Sequence, residues 1–164
     1  YCNMSAGGET CIQPDAHTAE APLVPRRQAG QLDWYSRLSG GEKITYDGVG
    51  SVQLTFLRLL TEEAHQNFTY ICSNSVAWYS AAEQGYAQSL RLLGENDMEI
   101  AHEGTDLKPE VLRDECQQPN AHGETVLLVR TKRLNYLPLV DFYPQDFART
   151  DQAFGFKVGP ACFK

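Results

Sequence analysis

The sequence is poor in basic residues. It has 14 lysines and arginines against 21 aspartates and glutamates, so its formal net charge at pH 7 is −7. Binding to phosphate backbones requires a basic surface, and the two adjacent basic pairs, Arg26-Arg27 and Lys132-Arg133, do not extend into one. This deficit of positive charge argues against a nucleic-acid partner.

Long apolar runs are missing as well. No segment approaches the roughly 18 apolar residues that a membrane-spanning helix needs, so we expect no membrane partner. The first residues, from Tyr1 to Met4, do not show the charged-then-apolar layout of a secretory signal peptide. If the chain is secreted, we expect its signal to lie upstream of Tyr1.

The common catalytic motifs are also lacking. The sequence contains no G-x-S-x-G nucleophile motif and no glycine-rich loop with phosphate-binding spacing. Its histidines have no zinc-binding spacing such as H-E-x-x-H; they are His17, His65, His102 and His122. We therefore expect no enzyme, no catalytic residue and no metal ligand in this chain.

The five cysteines are spread along the chain, and none forms a C-x-x-C pair. They are Cys2, Cys11, Cys72, Cys116 and Cys162. Two long-range disulfides with one extra cysteine would fit an oxidising compartment, whereas five free thiols would fit the cytosol. The triplet Asn67-Phe68-Thr69 is an N-glycosylation acceptor, and it favours the secretory pathway.

The strongest periodicity predicts an amphipathic helix from Ser51 to about His65. The apolar residues that recur at i, i+4, i+7 and i+8 are Val52, Phe56, Leu59 and Leu60. We expect this face to be buried in the protomer core, widened by Leu54 and Leu57. The positions expected to be solvated are Gln53, Arg58 and Glu62.

Strands are predicted where aromatic and β-branched residues cluster or alternate. The predicted strands cover residues 32–35, 44–46, 68–72, 98–102, 124–131, 137–143 and 154–160. Residues 1–11 are predicted to form a hairpin, and the proline-rich residues 14–30 a surface connector. One or two helices with many strands indicate an α+β fold, and 164 residues suit a single domain, 1–164.

Six segments, in order along the chain, resemble the C-terminal propeptide of fibrillar procollagens, which is the non-collagenous C-terminal domain of those chains. They are Tyr1-Cys2-Asn3-Met4 with Gly8-Glu9-Thr10-Cys11; residues 52–60, VQLTFLRLL; Gln66-Asn67-Phe68-Thr69-Tyr70; Cys72 with Asn74-Ser75-Val76-Ala77; Leu137-Pro138-Leu139-Val140-Asp141; and Phe154-Gly155-Phe156 with residues 158–163, VGPACF. Trp78 and the run from Ala64 to Asn67 are more similar to the minor fibrillar collagens than to the major ones.

The resemblance implies a disulfide-stapled, fibrinogen-like petal domain with antiparallel sheets and one or two helices. It pairs Cys11 with Cys162 and Cys72 with Cys116, and it gives Cys2 a partner upstream of Tyr1. The N-terminal part of the family domain, with its calcium loop and interchain cysteines, would also lie upstream. No cofactor is therefore expected within this chain.

The resemblance also implies where partner choice resides, in a loop before the helix and a turn after it. The corresponding residues are Lys43, Asp47, Thr61, Glu62 and Glu63. Polar side chains around a buried helix suit electrostatic discrimination at an interface, so we expect all five to be exposed. The sequence alone leaves an ordinary solvated loop as the alternative.

The function implied by the resemblance is structural. The domain would pass through the endoplasmic reticulum, be glycosylated at Asn67 and be secreted into the extracellular matrix. It would select and trimerise procollagen chains, as homo- or heterotrimers, before triple-helix folding, and a procollagen C-proteinase acting upstream would then remove it. The alternative is a secreted fibrinogen-like recognition domain that binds glycans or other extracellular ligands.

Overall fold

The structure is a computed structural model that describes residues 2–3, 8–25, 32–38 and 40–164. Within these residues the chain forms eleven β-strands and two α-helices. The strands are β1 (Cys2–Asn3), β2 (Glu9–Ile12), β3 (Glu20–Pro25), β4 (Ala64–Ser73), β5 (Arg91–Gly94), β6 (Glu99–Ile100), β7 (Glu110–Asp114), β8 (His122–Thr131), β9 (Leu139–Tyr143), β10 (Ala153–Val158) and β11 (Ala161–Phe163). The helices are α1 (Ala16–Ala19) and α2 (Ser51–Leu59), and 3-10 turns span Tyr35–Arg37 and Leu134–Tyr136. No helix in the described parts of the chain is long and apolar enough to cross a membrane.

Strand β4 is the centre of an eight-stranded antiparallel sheet. On one side it pairs with β8 from Ala64 to Ser73, and β8 in turn pairs with the edge strand β7. On its other side β4 pairs first with β11 and then with β10. Strands β2 and β1 continue the sheet beyond β11, and β3 lies beyond β10. A second antiparallel sheet has the order β6-β5-β9, so the α+β prediction is confirmed.

Alternation along β4 explains why it is central. Every second residue from Ala64 to Cys72 is buried, while most of the residues between them are half-buried. This period of two turns one row of side chains into the core. The buried row meets an aromatic cluster from other strands, so the sequence of β4 fixes which face of the sheet carries the core.

The core between the two sheets is built mainly from aromatic rings. Phe142 of β9 is fully buried, and its ring lies 4.9 Å from the rings of Phe68 and Phe156. The ring of Tyr35 stacks on Phe142 at 5.0 Å. Tilted and stacked rings at these separations are favourable arrangements, and they join β4, β9 and β10 into one core.

A buried glutamine connects four parts of the chain. Gln66 of β4 is fully buried, and its amide nitrogen donates to the Tyr46 hydroxyl at 2.8 Å and to the Gly159 carbonyl at 2.9 Å. Its side-chain oxygen accepts from the Leu139 amide at 2.8 Å. Because a buried amide without partners would be costly, these bonds fix the loop before α2, strand β9 and the turn after β10 around β4.

Two disulfides staple the sheet and a neighbouring loop. Cys11 and Cys162 are register partners on β2 and β11, with a Cα–Cα distance of 4.0 Å. Cys72 of β4 is bonded to Cys116, with a Cα–Cα distance of 6.2 Å. Both bridges join the pairs that the resemblance implies. The Cα distance of the first is short because the two cysteines face each other across adjacent strands.

Several element boundaries differ from the predictions. The helix ends at Leu59 rather than near His65, because Ala64 and His65 already belong to β4. Residues 44–46 are irregular, and residues 32–35 lead into a 3-10 turn, so neither is a strand. The described part of the expected connector, residues 14–25, instead contains α1 and β3, and residues 26–30 lie outside the described residues. Pro22 and Pro25 belong to β3, which lies at the sheet edge. Strand β7 was not predicted, since its residues do not alternate.

Replacing Phe142 with alanine should destabilise the folded chain by about 3 to 5 kcal/mol, because the change removes a ring packed against five other aromatic residues. Urea unfolding followed by intrinsic fluorescence measures this free energy. Leu112→Ala is the control, since Leu112 is 55% exposed on the edge strand β7. Equal loss of stability in both variants would contradict the proposed core.

Candidate functional site

Helix α2 is attached to the body of the protein largely through one arginine. Arg58 donates to the carbonyl oxygens of Leu134 and Leu137 at 3.2 and 2.7 Å and forms an ion pair with Glu95 at 2.8 Å. The expectation of a solvated Arg58 is wrong, because these three bonds turn it towards the body. Leu54, next to it on the helix surface, packs against the core.

The opposite face of α2 is apolar and exposed. The exposed fractions are 66% for Val52, 60% for Phe56, 73% for Leu59 and 82% for Leu60. We call these four residues the α2 apolar face. The prediction that they are buried in the protomer is wrong, because Leu54, Leu57 and Arg58 occupy the side of the helix that contacts the body. Large apolar groups gathered on a surface mark an interaction site.

The loop before α2 carries two of the predicted selection residues. Lys43 and Asp47 are exposed, as expected, while Ile44 between them is buried. The amide of Ile44 donates to the Val140 carbonyl at 2.9 Å. The carboxylate of Asp15 accepts bonds from the Thr45 hydroxyl and, at 3.1 Å, from the Asp47 amide. The loop is therefore held at defined points and presents its charges outwards.

The turn after α2 carries the other three selection residues. Glu62 is exposed, but Thr61 and Glu63 are only half exposed, so the expectation of full exposure fails for these two. The Thr61 hydroxyl donates to the Leu57 carbonyl at 2.8 Å, and Glu63 lies 3.4 Å from Arg130 of β8. The backbone of Glu63 also exchanges hydrogen bonds with Lys164, which fixes the turn against the chain's last residue.

These parts follow one another along the chain, and we call them the surface around α2. The loop lies at the N-terminal end of α2, the turn lies at its C-terminal end, and the α2 apolar face lies between them. The nine residues of α2 span about 14 Å at 1.5 Å per residue. An apolar centre with charges at its two ends is the general layout of a protein–protein interface.

Comparison with known proteins gives the family. Residues 1–163 match the model of the fibrillar collagen C-terminal domain. The chain belongs to this family. It is 37% identical to the collagen alpha-1(I) chain of Gallus gallus, in an alignment that covers 99% of this chain and 12% of that relative. The chain thus spans about an eighth of the length of the collagen chain that it matches.

Two further predicted sites of this fibrillar collagen C-terminal domain lie outside the surface around α2. Asn67 is exposed, as expected, but it is the fourth residue of β4 rather than a residue at the strand start. The backbone of Cys2 pairs with Thr10, whereas its side chain lies outside the described residues. The partner of Cys2 therefore stays a prediction, as does the fibrinogen-like character of the petal.

Three residues that matter in this collagen domain were missed at the sequence level. Arg58 attaches the helix, Asp15 holds the loop, and Glu9 lies 2.5 Å from His65 beside the Cys11–Cys162 disulfide. The contacts of Asp15 with the loop, of Arg58 with the body and of Glu9 with His65 each span at least 30 positions in sequence, so no local pattern could have revealed them. Only the position of Arg58 within a conspicuous helix offered a signal.

Replacing Leu59 with alanine should change the free energy of unfolding of the isolated domain by less than about 0.5 kcal/mol, because the side chain is 73% exposed. Leu57→Ala is the matched control on the same helix, and we expect it to cost more because Leu57 packs against the core. Chemical denaturation of both variants provides the measurement. If Leu59→Ala proved the more destabilising of the two, α2 would be oriented differently.

Asp15 should release the loop in acid. The hydrogen bond from Thr45, helped by the Asp47 amide, holds the pKa of the Asp15 carboxyl below its ordinary value. The ionised form is therefore favoured by folding, and this contribution is present at neutral pH and lost as the pH falls through the lowered pKa. An NMR titration that follows the carboxyl carbon of Asp15 should show a midpoint below the ordinary value of an aspartate carboxyl.

Asp106→Asn is the control for Asp15→Asn in that titration, since Asp106 is exposed and lies 3.8 Å from Arg133. Asp15→Asn should remove this transition, which assigns it to Asp15, and Asp106→Asn should leave it in place. A midpoint at or above the ordinary carboxyl value in the unmodified chain would show that Asp15 does not hold the loop.

Proposed function

We propose that this chain is a C-propeptide that selects and trimerises procollagen chains before their triple helix folds. The observation that carries the proposal is the α2 apolar face, which is exposed in the single chain. It is preceded by the loop with Lys43 and Asp47 and followed by the turn with Thr61, Glu62 and Glu63, which we call the selection loop and the selection turn. Membership of the fibrillar collagen C-terminal domain family supports procollagen chains as the partners that cover it, in a homo- or heterotrimer.

Leaving the α2 apolar face exposed to water is unfavourable in free energy. Covering a large apolar side chain contributes about 1.5 to 3 kcal/mol, and the α2 apolar face has four such residues. A partner chain that covers it would gain affinity mainly from these side chains. The charges of Lys43, Asp47 and Glu62 lie at the edges, where complementary charges favour the right partner and like charges reject the wrong one.

The wider role follows the family. We propose that the chain is a non-enzymatic constituent of the extracellular matrix that passes through the endoplasmic reticulum and carries a glycan on Asn67. A procollagen C-proteinase would act upstream of Tyr1, where the partner of Cys2 and the family's calcium loop are also expected. The exposure of the Asn67 side chain supports its modification.

A second candidate function is ligand recognition. A cleft of about 350 Å³ is lined by Trp78, Tyr79, Tyr86, Val111, Asp114 and Gln117. Aromatic faces beside polar groups suit the stacking of an extracellular ligand such as a sugar. If this were the main activity, Tyr86→Ala would abolish glycan binding without changing chain assembly, and changes on α2 would leave that binding intact.

The deciding experiment is co-expression of differently tagged full-length chains that carry Glu62→Lys, followed by measurement of trimer composition. Since Glu62 is exposed and lies at the edge of the α2 apolar face, reversal should change which chains assemble while the monomer stays folded. Glu103→Lys is the matched control, because Glu103 is exposed on a distant turn. Glu63 is avoided, since its reversal would also break its ion pair with Arg130.

A second pair of variants tests the apolar centre. Leu59→Asp should prevent trimer formation, whereas Leu112→Asp, at another exposed apolar residue, on β7, should not. Trimers of unchanged amount with Leu59→Asp, and of unchanged composition with Glu62→Lys, would refute the assignment of selection to this surface.

A further inference from the structure

Four groups that can bind a metal ion meet where β2, β11 and β4 lie side by side. Cys11 is the register partner of Cys162, and Cys162 is the register partner of His65. Register partners project to the same face of a sheet, so both sulfur atoms and the imidazole form one row across three strands. Glu9 precedes Cys11 by two residues, which places it on the same face.

The distances within this row are short. Glu9 Oε1 lies 2.5 Å from His65 Nε2, and Glu9 Oε2 lies 4.0 Å from Cys11 Sγ. Ligand atoms of Glu9, His65 and Cys162 all lie within 4.8 Å of one another. Cys162 is buried, and the side chains of His65 and Glu9 are partly shielded from water.

We propose that the reduced chain, before Cys11 and Cys162 are joined, binds one Zn²⁺ ion through Cys11, Cys162, His65 and Glu9. Two thiolates, one imidazole and one carboxylate are donors that zinc takes in tetrahedral sites. With bond lengths of about 2.0 to 2.3 Å, neighbouring tetrahedral ligands lie roughly 3.3 to 3.8 Å apart. The ligand atoms of Glu9, His65 and Cys162 would reach these separations by side-chain movements of about 1 Å, starting from the 4.8 Å limit within which they lie. Cys11, the strand partner of Cys162, would supply the fourth ligand when the two sulfur atoms are not bonded to each other.

The chemistry makes zinc binding and the disulfide mutually exclusive. On binding, Zn²⁺ displaces one proton from each of the two thiols to the solvent. When the disulfide of an oxidised protein dithiol carrier later accepts two electrons from the two thiolates, the Cys11–Cys162 bond forms and the carrier's sulfur–sulfur bond breaks. The carrier takes up two protons from the solvent and becomes a dithiol, and Zn²⁺ leaves to the solvent. In the joined state the sulfurs are no longer thiolates, and His65 and Glu9 bond to each other.

The ion would act as a temporary clamp. Cys11 and Cys162 are 151 positions apart in sequence, so their two strands must meet before the covalent bond can form. A metal bound by β2, β4 and β11 would hold these strands in register and shield both thiols from pairing with Cys2, Cys72 or Cys116. This role does not depend on the proposal for the surface around α2.

Titration of the reduced chain with Zn²⁺ against a chromophoric chelator tests the proposal. We expect one ion per reduced chain and no stoichiometric binding by the oxidised chain. His65→Gln and Glu9→Gln should each weaken binding at least about tenfold, as loss of a ligand does. His122→Gln, Glu103→Gln and Cys2→Ser are the matched controls and should leave the affinity unchanged.

Co²⁺ provides a second readout that does not depend on affinity. The reduced chain should show the absorption of tetrahedral Co²⁺ with sulfur ligands, and His65→Gln should alter that spectrum while circular dichroism shows the same secondary structure. The proposal is overturned if the reduced chain binds no zinc, or if His65→Gln and Glu9→Gln bind it as tightly as the unmodified chain does. The second result would show that the cysteines bind the ion without a formed site.

Discussion

The structure depends on the complete pairing of strand β4. Its ten residues pair with β8 along their whole length and with β10 and β11 on the other side, so its backbone is held from both sides. The buried row of β4 supplies Phe68 to the aromatic core, Gln66 to the polar connections and Cys72 to a disulfide. Helix α2 leads into β4 through a short turn, so the position of the selection turn follows from the sheet.

The sequence predicted what depends on local pattern and missed what depends on packing. The aromatic and β-branched residues 68–72 predicted part of β4, residues 124–131 predicted most of β8, and the period of α2 predicted the helix. The same period could not tell which face of α2 the protomer covers, because an apolar stripe suits a core and a partner equally well. Arg58 shows which face of α2 contacts the body, because it donates hydrogen bonds to carbonyl groups more than 70 residues away in sequence. Contacts between residues so far apart do not produce a periodic pattern in the sequence.

The residues that attach α2 to the body are different from the residues that are proposed to recognise a partner. Leu54, Leu57 and Arg58 attach the helix to the body, so the four residues of the α2 apolar face contribute little to the folded monomer. The residues of the α2 apolar face can therefore vary without unfolding the domain, since exposed positions tolerate substitution. Under the proposed function, this freedom would let related domains differ in their partners, because a change of specificity at this face would have little effect on the core.

Strand β11 joins the sheet to the turn after α2, which carries three of the residues proposed to select partners. The β11–β4 pairing runs from Cys162 opposite His65 to Phe163 opposite Ala64, and the hydrogen bonds of Lys164 extend it to Glu62 and Glu63. The selection turn is therefore one edge of the ladder that the Cys11–Cys162 disulfide fastens to β2. Since β11 is only three residues long, its pairing alone is weak and the covalent bond holds it in place. The turn at Glu62 and Glu63 therefore holds its position through its hydrogen bonds with Lys164, next to β11.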